Sequence, residues 1–105
     1  MNRELQQKFF SDFTTKMAEL IFKKGDDYAT EADRLINFKR SSFILGEKPE
    51  KAALHQIANK IARLSELLGG KIPKNESIED SLLDCANYVI LLAMIVQDSK
   101  PSIAV

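Results

Sequence analysis

Three carboxylates, Glu76, Asp80 and Asp84, follow one another at intervals of four residues, with Asn87 and Tyr88 next along the chain. On a helix this spacing lines them up along one side. Like charges so placed oppose helix formation by about 0.2–0.5 kcal/mol per pair, and the helix dipole favours acids only in the first turn. Asp84 lies too deep for that help and sits amid Leu82, Leu83, Cys85 and Ala86. Once buried, it requires a basic side chain, a metal ion or a hydrogen-bonded ligand as partner. Lys60 and Arg63, in an earlier segment, are cations that could meet these acids. Two chemistries fit the set. One is an interhelical salt-bridge network that fixes register. The other is a polyanion site in which Lys60 and Arg63 hold phosphate while Glu76, Asp80 and Asp84 hold Mg2+ or orient the bases.

A second polar feature is Lys23-Lys24-Gly25-Asp26-Asp27-Tyr28-Ala29, a helix end, a glycine, two acids and an aromatic in one short stretch. It reads as a turn, or as a place where Lys24, Asp27 and Tyr28 contact a ribose, base or metal. Asn37 is an amide inside the apolar stretch Leu35-Ile36-Asn37-Phe38, either a satisfied buried group or a base reader. His55, beside Gln56 and Asn59, suits a surface or hydrogen-bonding role. Cys85 suits a small core residue with no base to activate it. No GxxxxGK[ST], GxGxxG or GxSxG sequence occurs, which removes the common phosphate-loop and nucleophile-elbow chemistries.

These residues need helices to position them. Leu5, Phe9, Phe13, Met17, Leu20 and Ile21 recur at the helical period, with Gly25 as a stop, predicting a first helix over 3–24. Ala32, Leu35, Phe38, Phe43 and Leu45 predict a second over about 30–45, ended by Gly46. Pro49 suits the first position of a third helix, with Ala53, Ile57, Ile61, Leu64 and Leu68 as its stripe and Gly69 and Gly70 as its end. Ser77 with Asp80 three residues on forms a capping pair for a fourth helix over about 76–98. Its expected buried face is Ile78, Leu82, Cys85, Val89, Leu92 and Val96. With Leu68 opposite Glu76 in an antiparallel hairpin, Lys60 comes level with Asp84, and Leu64, with Arg63 beside it, level with Asp80. The expectation is an all-α, four-helix antiparallel bundle, one domain over residues 1–105.

Composition agrees. Apolar residues make up 45% and charged residues 29%, a globular balance that excludes disordered and low-complexity classes. Fifteen basic and fifteen acidic residues cancel, and both halves of the chain are near neutral, so no basic face for duplex nucleic acid is expected. One cysteine and one histidine build neither a disulfide nor a zinc site, which points to a reducing cytoplasm. The charged first turns lack the apolar core of a signal peptide. The longest apolar run, Tyr88 to Val96, falls well short of the roughly 20 residues that span a bilayer, so no membrane partner is expected. That run is apolar on all sides, and a small domain cannot easily surround such a helix. A homo-oligomer, dimer or tetramer, is expected.

Four blocks in order, Lys24-Gly-Asp-Asp27-Tyr28, Asn37-Phe38-Lys39, Lys60-Ile-Ala-Arg63-Leu64 and Glu76-Ser-Ile-Glu-Asp80-Ser-Leu-Leu-Asp84-Cys-Ala-Asn87-Tyr88, resemble a family of small phage proteins. These are the nucleotide-modification-associated domain proteins, related to the all-α nucleoside triphosphate pyrophosphatases of the MazG and dimeric dUTPase type. The resemblance implies an oligomerising helical bundle in the host cytoplasm that binds a nucleotide near a helix pair. In the catalytic branches carboxylate-held Mg2+ activates water for phosphoanhydride cleavage. Carried over by position, the candidate ligand-binding residues are Lys24, Asp27, Tyr28, Asn37, Lys60, Arg63, Asn87 and Tyr88. Glu76, Asp80 and Asp84 are candidate metal ligands, with Asp80 and Asp84 catalytic in an enzyme. The chain departs from the pyrophosphatase pattern, in which an ExxE pair faces an ExxD pair: Lys60 and Arg63 stand at the height of the first pair, and Asp80 and Asp84 are four apart. Basic residues there suit a phosphate clamp. Sequestration of a phosphorylated or cyclic nucleotide, as an anti-defence function, is the leading expectation. Mg2+-dependent pyrophosphate cleavage and a purely structural helical bundle are the alternatives.

Overall fold

The computed structural model describes residues 1–28 and 32–100, the side chains at 24, 25 and 28 excepted. The described residues form α1 (Arg3–Tyr28), α2 (Ile36–Leu45), α3 (Pro49–Leu68) and α4 (Ile78–Asp98), and contain no strand. The all-α expectation holds. None of these helices is long and apolar enough to cross a membrane.

The helix ends follow local chemistry, with two departures from expectation. α1 runs through Gly25 to Tyr28 instead of stopping at 24. A glycine inside a helix costs only about 1 kcal/mol relative to alanine, so it weakens a helix without ending it. Asp26, in this added turn, pairs with Arg34 at 3.1 Å. α2 begins at Ile36; the expected start near 30 lies outside the described residues, and ahead of Ile36 Asp33 takes the backbone into a turn, its Oδ1 accepting from the Leu35 N–H at 3.0 Å. At the other end Gly46 adopts φ 69°, and the Glu47 N–H reaches the Ser42 carbonyl at 2.8 Å, a left-handed helix stop that favours glycine. α3 opens on Pro49, and α4 opens on Ser77, whose Oγ accepts from the Asp80 N–H at 3.1 Å.

α3 and α4 pack antiparallel along their length. Ala53 shares a core with Ile95, and Lys60, two turns further along α3, lies against Asp84. α2 covers one end of this pair, where Leu35, Phe38, Ala52, Ala53 and Ile95 form the central cluster. Tyr88 packs on it edge-to-face with Phe38, ring centroids 6.4 Å apart. α1 lies against α4 around Met17.

The buried sides differ in part from those expected. On α3, Ala53, Ile57 and Leu64 are buried, but Leu67 takes the inner place and Leu68 and Ile61 are exposed. On α4 the buried residues are Ser81, Leu83, Asn87 and Ile95, whereas Leu82, Val89 and Val96 face outward. From Tyr88 to Val96 α4 is apolar all round, and such a stretch carries no preferred inward direction, so its neighbours decide which side is covered. On α1 only Met17 of the expected stripe is fully buried.

Candidate functional site

The α3–α4 seam places Lys60 between two acids. Its Nζ lies 3.1 Å from Glu76 Oε1 and 3.1 Å from Asp84 Oδ2, with the Lys60 and Asp84 side chains only 22% and 19% exposed. Burial works against the ammonium, but the hydrogen bonds to Asp84 and Glu76 outweigh it and hold the lysine above its ordinary value. The acids come from different places. Glu76 precedes the helix cap, and Asp84 lies two turns inside α4, so one cation ties both ends of the first turns of α4 to α3.

The other expected members are placed less tightly. Arg63, one turn along α3 from Lys60, is 3.7 Å from the exposed carboxylate of Glu66, an i,i+3 contact within the helix. Asp80 is exposed and contributes its backbone N–H to the cap. Its neighbour Glu79 takes Lys16 of α1 at 2.7 Å, and this hydrogen bond raises the lysine above its ordinary value. Arg63 and Asp80, expected at about the same height, make separate contacts: Arg63 with Glu66, and Asp80, through its backbone N–H, with Ser77.

Asn87 is buried and binds α1 to α4: its Nδ2 donates to the Met17 carbonyl at 3.2 Å. Its Oδ1 has no hydrogen-bond partner, and neither has Oγ of the fully buried Ser81. Tyr88 and Asn37 are half-buried, and Asp27 is exposed. Lys24 and Tyr28 lie outside the residues whose side chains are described. His55 is exposed and meets Glu47 at 3.1 Å, and Cys85 is half-buried.

Among the described residues no three of His, Cys, Asp and Glu converge as metal ligands. The Lys60 ammonium stands between Glu76 and Asp84, where a divalent ion would need to be, and Asp80 points elsewhere to solvent. As arranged, the donor set fits an internal cation and not Mg2+.

Two features escaped the sequence reading. Ser81, one turn from the cap Ser77, is fully buried, although a serine there reads as surface in the sequence. Lys39 forms a second doubly bound cation, 2.6 Å from Asp33 and 3.0 Å from Asp98, which joins the turn before α2 to the far end of α4. Only the placement of its acids far apart in sequence, at 33 and 98, concealed it. In comparison with known proteins, the chain matches no family model, no curated protein and no solved structure.

Proposed function

We propose that this chain binds a phosphorylated nucleotide or a nucleotide-derived, including cyclic, signal at the α3–α4 seam, and acts by sequestering it, a role suited to a phage protein that counters host defence. The reading includes an oligomerising four-helix antiparallel bundle. The observation that carries it is the pairing of a half-buried, doubly held Lys60 with Arg63 on the next turn, whose own ion pair is long at 3.7 Å. A guanidinium so weakly engaged can turn to a phosphate, to which it offers two parallel donors. Ser81 and Asn87 support the reading with polar atoms that lack partners on the same helix.

Sequestration is favoured over hydrolysis because the acids are committed to an ammonium. Calorimetry with canonical and cyclic nucleotides, with and without Mg2+, tests this. Binding that leaves the ligand intact is the expected result. Release of pyrophosphate would establish the enzyme instead.

A second reading has its own observation. Lys60 satisfies both Glu76 and Asp84 without any ligand, as a register lock between α3 and α4 would. Absence of binding to every nucleotide would leave this structural bundle as the function.

A further inference from the structure

The apolar stripe of α1 outruns its cover. Burial on α1 starts at Phe13, and every residue before it is exposed, including Leu5, Phe9 at 58% and Phe10 at 69%. Phe9 stacks on Phe13 with centroids 5.6 Å apart, so this free arm continues the covered stretch. α4 carries a matching feature. Leu82, Ala86, Val89, Ile90, Ala93 and Val96 fall within about 120° of arc on the side opposite Asp84 and Ile95. Of these, Leu82, Val89, Ile90 and Val96 are exposed, and no charged residue occurs from 85 to 97.

The exposed area is enough for a second copy. The chain exposes 8057 Å², whereas a compact monomer of its mass exposes about 5,900 Å². Its radius of gyration is 16.0 Å, against about 13 Å for a compact chain of this length. The surplus, about 2,000 Å², exceeds the roughly 1,000 Å² per chain buried by the smaller obligate homodimers. Charge agrees as well. Arg3 and Glu4, and Lys8 and Asp12 with their 3.0 Å pair, leave the arm neutral, so two copies approach without net repulsion.

We infer that a second copy of this chain covers this face, the α1 arm from Leu5 to Phe13 of each copy lying on the outer side of the other's α4 in a two-fold dimer. The inference rests on the oligomeric part of the proposed function and is independent of its nucleotide.

Light scattering of the full chain at tens of micromolar tests it. The expected mass is twice 11.8 kDa, or a higher even multiple. Phe9→Glu and Val89→Glu should each weaken association by roughly tenfold or more, with helical circular dichroism retained. Leu54→Glu, at an exposed apolar position on α3, should leave the mass unchanged. A mass of 11.8 kDa overturns the inference. So does a dimer broken by Leu54→Glu and by neither of the others. Should a glutamate variant unfold, Phe9→Cys with Val89→Cys in a Cys85→Ser background decides. An oxidised cross-link between copies supports the interface, and its absence overturns it. Nucleotide calorimetry on the same samples separates the two proposals: a dimer that binds no nucleotide removes the nucleotide reading alone, and a monomer that binds one removes the interface and the oligomeric part of the proposed function but leaves its nucleotide reading.

Discussion

Lys60 on α3 and Asp84 on α4 meet at 3.1 Å, and Glu76 meets the same ammonium from the other side. One nitrogen therefore holds two carboxylates that lie eight residues apart, and truncation of either acid leaves the other to carry the charge.

Asp84→Ala should destabilise the fold by about 1–3 kcal/mol, because a partly buried cation loses one of its two acceptors. The exposed pair Lys8–Asp12 provides the contrast: Asp12→Ala should cost under about 0.5 kcal/mol. Urea unfolding followed by circular dichroism measures both.

Ser81→Ala should be neutral or stabilising by up to about 1 kcal/mol, since it removes a buried hydroxyl that has no partner. Asn87→Asp should cost about 2–4 kcal/mol at neutral pH, and less in acid, because the new carboxyl must either ionise in a buried site or take up a proton. If these groups serve a ligand, Ser81→Ala will lower nucleotide affinity even though it does not lower stability.

Arg63→Ala should lower nucleotide affinity by about 10–100-fold, the worth of one charge-assisted contact, while stability changes by under about 0.5 kcal/mol. Lys60→Met should lower both. Calorimetry and urea midpoints on the two variants separate a ligand contact from a structural one.

Stability should be flat across the neutral range and fall at both extremes. Asp33 is held below its ordinary 3.8 by the hydrogen bond from Lys39 and then by the Leu35 N–H, so its contribution is present above that value and lost as pH falls through the lower folded one. Lys60 is raised, so its contribution is complete below 10.5 and lost as pH rises through a folded value above that. Urea midpoints against pH should lose part of their acid slope in Asp33→Asn and part of their alkaline slope in Lys60→Met.

Sequence alone determined the elements whose causes are local. Pro49 opens α3 by its fixed φ and missing N–H, Gly46 stops α2 in a left-handed turn, and Ser77 caps α4 through the Asp80 N–H, each a cause that lies within a few residues. It also determined the height of Lys60 against Asp84, since two helices joined by a short link can return in only one sense. What the tertiary structure decided was rotation and reach. From Tyr88 to Val96 α4 is apolar on all sides, so no periodicity marks the inner side of that stretch; packing against α3, α2 and α1 turned Ile95 inward and left Val89 and Val96 outside. Arg63 reached for Glu66 on its own helix because a neighbour one turn away needs less side-chain ordering than an acid across the seam. The link between Asn87 and the Met17 carbonyl joins a side chain to a backbone atom seventy residues earlier, and a main-chain acceptor has no residue type by which a sequence can announce it.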